Sequence, residues 1–325
     1  MNRRQFIAAL GGVAGWPKAA WTQVTAKNPE IGFLYAGNSA AGVPRIAAFQ
    51  EGLRSKGYLD GRNITLVARS AESKIDRFEP LVAELVARNV RVLFVSGPAV
   101  VRLARAATTT IPIVAMDLES DPVKDGLVAS ISRPGGNLTG LFFDFPEFSA
   151  KWIELLTEGV GSLSQLAVLW DSTSGSQQLD TVVELAKSRG LSLLVLKVST
   201  PGEIEPALVS AANAKADGLL ILSSPLFGTN PKLIADLALK YWLPAITLFP
   251  EFAQVGGLMA YGTNLIDLFY QAGVLAGKIL DGSKPEDLPV ERPTRFQLVV
   301  NLRTAKALGL PISTSLLLRA DEVIE

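Results

Sequence analysis

The chain has 325 residues, 48% of them hydrophobic, with 31 basic and 31 acidic side chains and neither cysteine nor histidine. Balanced charge without a Lys/Arg block lacks the electrostatic footprint of a nucleic-acid binder, so no nucleic-acid partner is expected. The missing thiols and imidazoles exclude a disulfide framework, a cysteine nucleophile, a lipid-attachable cysteine, His-based triads and His-rich zinc sites. Catalysis would have to run on carboxylates, Lys, Tyr or Ser, which argues against an enzyme, and no cofactor or metal is implied. The length exceeds what one compact core holds, so two lobes are expected.

The chain opens on Arg3-Arg4-Gln5-Phe6-Ile7, continues uncharged from Ala8 to Pro17, and reaches the small residues Ala19 and Ala20 after Lys18. That is the layout of an export signal of twin-arginine type. Its apolar part is far short of the roughly 20 residues a membrane-spanning helix needs. Residues 1–22 are read as the signal, with processing after Thr22, which makes the mature protein soluble and periplasmic. Asn2 stands where a twin-arginine signal usually has Ser or Thr, so general secretion stays open as the route.

From residue 30 onward short β-branched runs alternate with amphipathic stretches, the pattern of parallel βαβ units. A strand over 31–36 precedes a helix over 44–56 that carries Ile46, Phe49 and Leu53 on one face and stops at Gly57. A strand over 63–68 follows, then a helix over 75–88 with Phe78, Leu81, Val82 and Leu85 inward. Strand 92–95, helix 99–107 and strand 113–115 complete a first α/β lobe by about residue 142. A second series starts with a helix bearing Phe148, Trp152 and Leu155. It continues through strand 166–170, helix 179–189 ended by Gly190, and strand 191–196. Thr200-Pro201-Gly202-Glu203 reads as a capping box with Pro at the first helical position. Strand 219–222 comes next, and Asn230-Pro231 caps a helix that buries Leu233, Ile234 and Leu237.

The two series echo each other. Val92-Leu93-Phe94-Val95-Ser96-Gly97-Pro98 is answered by Leu219-Leu220-Ile221-Leu222-Ser223-Ser224-Pro225, and Ile111-Pro112-Ile113-Val114 by Leu243-Pro244-Ala245-Ile246. Two equivalent lobes with strand ends facing across a cleft would form a clamp, because ligands of open parallel sheets sit outside the strands' carboxyl ends.

Arg133-Pro134-Gly135-Gly136-Asn137-Leu138-Thr139-Gly140, Asp121-Pro122-Val123 ahead of Gly126-Leu127-Val128, and the ending over 296–310 and 316–324 carry a resemblance. The chain resembles the periplasmic substrate-binding proteins of ABC transporters, in particular the subfamily related to tryptophan and aromatic amino-acid binders. The resemblance covers nearly the whole chain. It implies the type I periplasmic binding protein fold: two Rossmann-like α/β lobes with parallel sheets, joined by a three-segment hinge. Lobe 1 would comprise residues 28–143 plus 264–284, lobe 2 residues 146–260 plus 294–325, with the ligand cleft between them. Crossovers are expected near 117–122 or 141–146, near 258–264 and near 284–294. An ABC permease and ATPase complex would be the partner, and a monomer is the default for a diffusing carrier.

Strand ends that run into helix starts offer free backbone N–H groups to a carboxylate. Ser96 and Gly97, Ser223 and Ser224, and Asn38 after the first strand fit that role, with helix capping as the plain alternative. A ligand ammonium needs an acceptor, and Asp117, Glu119, Asp171 and Glu251 follow predicted strands on the cleft side; a solvated loop charge is the alternative for each. Among aromatic residues near the same edges, Phe143, Phe227, Phe249 and Tyr261 are candidates for apolar contact, while Phe142 and Trp170 continue apolar runs that suit a core. Tyrosine, phenylalanine and tryptophan head the ligands considered, then branched-chain amino acids, then aromatic acids without an amine. A ligand-sensing module for a membrane receptor would have the same lobes. An exported hydrolase using Asp117 with Glu119 is a further alternative.

Overall fold

A computed structural model describes residues 28–143 and 145–325, the side chains of 145–147 excepted. The export signal and its cleavage at Thr22 lie outside the described residues. Among the described residues no helix is long and apolar enough to cross a membrane.

The strands fall into two sheets. The first holds β1 (Glu30–Tyr35), β2 (Thr65–Ser70), β3 (Val92–Ser96), β4 (Ile113–Asp117) and β5 (Leu138–Phe142) in the order β2-β1-β3-β4-β5, every pair parallel. The second holds β6 (Gln165–Asp171), β7 (Ser192–Val198), β8 (Gly218–Ile221), β9 (Ala245–Thr247), β10 (Met259–Gly262), β11 (Gln297–Asn301) and β12 (Glu322–Ile324). Their order is β12-β11-β10-β9-β8-β6-β7, and only the β10–β11 pair is antiparallel. Each sheet is doubly wound, with a crevice where the strand order reverses. In the first sheet that point lies between β1 and β3, where Tyr35 pairs in register with Ser96. In the second it lies between β6 and β8, beside Asp171 and Ser223.

The strands are near-continuous apolar runs because both faces are covered: Phe33, Phe94, Leu93 and Val95 are fully buried, as are Val168, Leu169, Leu219 and Ile246. The helix Leu265–Leu280, which follows the second sheet's β10 in sequence, packs against the helix Ser39–Arg54 of the first sheet. A Cβ at Gly52 would lie 2.1 Å from the Tyr270 carbonyl oxygen, and one at Gly273 2.1 Å from that of Phe49. The missing side chains let the two helix backbones touch, which fixes this chain crossing under the first sheet. Farther along, Glu291 N–H donates to Gly140 O and Phe142 N–H to Glu291 O, so the returning segment runs along the edge of β5.

Two sequence expectations shift. The first helix starts at Ser39, not at residue 44, because Asn38 accepts a hydrogen bond from Ala41 N–H and caps it; Pro44 sits inside, where it removes the bond that Ala40 O would otherwise accept. Leu233 is 39% exposed, since the helix Pro231–Lys240 turns Ile234, Ala235, Leu237 and Ala238 inward instead.

Candidate ligand-binding cleft

The two echoing loops meet. Ser96-Gly97 ends β3, and Pro98 opens the helix Pro98–Ala107; Ser223-Ser224 follows β8, and Pro225 opens the short helix Pro225–Gly228. Gly97 has φ 93°, a left-handed turn that suits glycine, and a Cβ there would lie 3.0 Å from the Pro225 ring. At this junction a small cavity of about 30 Å³ is lined from both sides, by Tyr35, Ser96, Gly97, Met116 and Glu119 on one hand and by Ser224, Pro225, Gly228 and Phe249 on the other. Arg45, Leu118, Leu265 and Phe269 complete its wall. The cavity has room for one or two waters, so space for a ligand requires the two sides to part.

Its polar groups are few and buried. Arg45 is 7% exposed; it donates from Nη1 to the Tyr35 hydroxyl and from Nη2 to Gly228 O at 2.9 Å, and its guanidinium lies 4.9 Å from the Tyr35 ring centre. Glu119 is 4% exposed and receives Ser223 Oγ–H on Oε1 at 2.6 Å, while Oε2 accepts from Leu118 N–H at 3.2 Å. Both contacts to Gly228 and Ser223 reach from the first sheet's residues to the second's. Gln178 holds Ser223 in place, accepting from its N–H and donating to its carbonyl, each at 2.9 Å. Ser96 Oγ is buried without a hydrogen-bond partner among the described residues.

Burial pushes the Glu119 carboxyl up to about 8; repulsion from Asp117 adds to this, and the Ser223 hydrogen bond opposes it. Asp117 is also raised by burial, but three donors stabilise its ionised form: the N–H groups of Glu119 and Ser120, at 3.0 and 3.1 Å, and the Ser120 hydroxyl. Both carboxyls are thus held above the ordinary carboxylate range by burial, against the donors that each accepts from. Burial likewise raises Asp171 and Glu251, and lifts the Tyr35 hydroxyl to about 12.

The sequence candidates separate into groups. Ser96, Gly97, Glu119, Ser224 and Phe249 line the cavity, with Ser223 bonded to Glu119 behind it. Asp171 lies at a neighbouring opening with Gly97, Pro98 and Pro225, where it accepts from Thr173 N–H at 2.9 Å. Phe227 and Glu251 line a smaller chamber on the far side of Phe249. Asp117 ends β4 with its oxygens occupied by its own loop, and Asn38 caps a helix. Phe143 and Tyr261 are placed elsewhere: with Phe148 and Phe296 they line a cavity of about 340 Å³ beside the chain crossings. The segments that carry them leave their sheets there, so proximity to a strand end did not place them at the cleft.

Arg45, Met116, Leu265 and Phe269 were not among the sequence candidates. Arg45 had a signal: it shares the inward stripe of its helix with Gly42, Phe49 and Gly52, an unexpected place for a charge. The assembled site offers a guanidinium, an unpartnered hydroxyl and a helix start to an anion, a carboxylate to a cation, and aromatic and thioether surface to an apolar body.

The family described as ABC transporter substrate binding protein matches residues 42–324. A tyrosine-binding protein of Clostridioides difficile is 26% identical over 264 residues, 81% of this chain and 75% of that protein. Among solved structures, the ABC domain from Streptococcus pneumoniae in complex with L-Trp superposes with a TM-score of 0.83 at 22% identity, over 92% of this chain and 100% of the other. A solute-binding protein of an ABC transporter from R. palustris, in complex with benzoate, gives a TM-score of 0.56 at 17% identity over 78% of this chain and 79% of the other.

Proposed function

The chain belongs to the ABC transporter substrate-binding proteins, and on that premise we propose that it captures an aromatic amino acid between its two lobes and delivers it to an ABC importer. The observation that carries the reading is the interlobe cavity, where Arg45 and Glu119 are buried together among Tyr35, Phe249, Phe269 and Met116. A zwitterion with an apolar side chain meets each of these demands. Its carboxylate is received by Arg45, Ser96 Oγ and the start of the helix Pro98–Ala107. Its ammonium is received by Glu119, which then gives up its proton because a cation beside it favours the charged form.

Closure brings the ligand under contacts from both lobes, through Ser223 to Glu119 and Arg45 to Gly228. The lobes are residues 28–143 plus 264–284 and residues 146–260 plus 294–325, turning about the connecting segments. The protein is exported to the periplasm, works there as a soluble monomer, presents its closed form to a permease and ATPase complex, and catalyses no reaction. The tyrosine-binding relative and the tryptophan- and benzoate-bound neighbours support an aromatic ligand.

A thermal-shift screen against amino acids, aromatic acids, sugars and small peptides tests this. A ligand at 100 times its dissociation constant adds about 2.7 kcal/mol of stability and raises the melting temperature by several degrees. The expected result is a rise with aromatic amino acids. A rise confined to sugars or peptides, or none with any class, overturns the reading.

A further inference from the structure

We propose that Gln178 is a positioning residue for recognition of the ligand's ammonium: from the second lobe it sets the Ser223 hydroxyl against Glu119 of the first. This rests on the reading that the cleft holds an amine-bearing ligand.

The helix Gln177–Ser188 turns Leu179, Val182 and Ala186 inward, and the same buried stripe begins with an amide, Gln178. A primary amide buried so deeply is destabilising unless it is hydrogen-bonded, and this one directs its acceptor and a donor to a single residue. Strand β8 ends at Ile221, and Leu222 N–H still reaches Leu169 O of β6 at 3.1 Å. Ser223 lies beyond the strands. There the Gln178 amide takes the part of a strand neighbour: Oε1 accepts from Ser223 N–H and Nε2 donates to Ser223 O, each at 2.9 Å. With both backbone groups held, the direction of the Ser223 side chain is set.

That direction matters because two serines are adjacent. Ser223 sends its hydroxyl across the lobe boundary to Glu119 Oε1 at 2.6 Å, while Ser224 accepts from Phe227 N–H at 3.1 Å and bonds to Asp171 within its own lobe. A rotation of the segment would withdraw the Ser223 hydroxyl and leave the Glu119 carboxyl free to turn, and a site group binds well only when its supporting contacts hold it. The neighbouring Gln177 secures the opposite side. Its Oε1 accepts from Asp121 N–H at 2.7 Å, and its Nε2 donates to the Asp125 carboxylate, in the loop that follows Glu119. Successive amides at one helix start therefore hold Ser223 of one lobe and the Glu119 loop of the other, which packing of this helix on its own sheet does not require.

The test is calorimetric titration of the full chain with L-tyrosine and with desaminotyrosine, which lacks the amine. It compares the natural sequence, Gln178→Met, Gln178→Glu, Ser223→Ala, and Gln178→Met combined with Ser223→Ala. Gln178→Met keeps the side chain's length without its hydrogen bonds; it should weaken L-tyrosine by about 10-fold and desaminotyrosine by less than about threefold. In the Ser223→Ala background it should add less than about threefold, because the hydroxyl it positions is gone. A protonated carboxyl offers a donor and an acceptor as the amide does, so the deficit of Gln178→Glu against the natural protein should shrink as pH falls. Measuring the natural protein at each pH accounts for the titration of Glu119, Asp117 and Asp171. The proposal is overturned if Gln178→Met binds L-tyrosine as the natural protein does, if it weakens both ligands alike as a merely structural amide would, or if the two substitutions add in full. A deficit of Gln178→Glu that does not change with pH also overturns it, and this variant decides alone should Gln178→Met not fold. A natural protein that binds neither ligand removes the cleft reading and this role together, whereas L-tyrosine binding untouched by Gln178→Met removes this role alone.

Discussion

The interlobe cavity and the cavity beside the chain crossings are both aromatic, and the second is the larger, about 340 Å³ against about 30 Å³. At the crossings Phe148 lies 4.2 Å from Phe143 and 4.6 Å from Phe296, centre to centre, a self-contained ring cluster. The charges there are wet: Lys151 and Glu154 pair at 2.7 Å with side chains 34% and 51% exposed. Between the lobes the order is reversed, with Arg45 and Glu119 almost fully buried and Ser96 Oγ lacking a partner among the described residues. The contrast teaches that neither size nor aromatic content locates a binding site. Buried polarity does, because it costs free energy that a packing role would not recover.

Exchanging the attributes of the two regions should therefore separate stability from binding. Phe148→Ala at the crossings removes a ring from a packed cluster and should lower unfolding stability by roughly 3–5 kcal/mol, while leaving ligand affinity within about threefold. Denaturant titration and calorimetry read the two effects, and a large loss of affinity at unchanged stability would reverse the assignment. Glu119→Ala should do the opposite, weakening amine-bearing ligands by about 100-fold and deaminated analogues much less. Equal weakening of both would detach Glu119 from the ammonium. Ser223→Ala removes the hydroxyl that reaches Glu119 from the other lobe and should weaken binding by about 10-fold. An unchanged affinity would mean that this contact forms without helping closure.

A further difference is in pH dependence. With its folded-state value raised from the ordinary carboxylate range to about 8, Glu119 binds its proton more tightly in the folded than in the unfolded chain. Its contribution to stability is then fully present below the unfolded value and is lost as pH rises towards about 8. Unliganded protein should lose stability across that window, and Glu119→Gln should flatten the slope. A slope unchanged in Glu119→Gln would assign the titration to another group.

The fold was legible wherever the chemistry is local. Ser96-Gly97-Pro98 and Ser223-Ser224-Pro225 could be read as matching strand exits because proline at a first helical position and serine before it act on their own neighbours. Glu119 and Asp117 looked alike in sequence, but Glu119 lines the cavity while Asp117 spends its oxygens on its own loop, a difference that depends on the Ser120 and Ser223 hydroxyls. Arg45 was hidden because its role needs Tyr35, ten positions back in the chain, and Gly228, 183 positions ahead. Phe143 and Tyr261 looked like Phe249 in sequence, each beside a strand end. Only the path of the chain at the crossings distinguishes them. Leu233 misled for a simpler reason: with apolar residues at 233, 234, 237 and 239, the helix face is not decided by its own pattern.

The central claim, that ligand enters between the lobes, is tested most directly by locking them. The chain contains no cysteine, so an introduced pair is the sole pair. Asp125 of the first lobe and Gln177 of the second meet through a side-chain hydrogen bond, so cysteines at these positions lie close enough to join with a short reducible thiol–thiol linker. Asp125→Cys with Gln177→Cys, linked without ligand, should bind added L-tyrosine only after reduction. If the linked protein takes up L-tyrosine as well as the reduced one does, the site lies outside the cleft and the account fails.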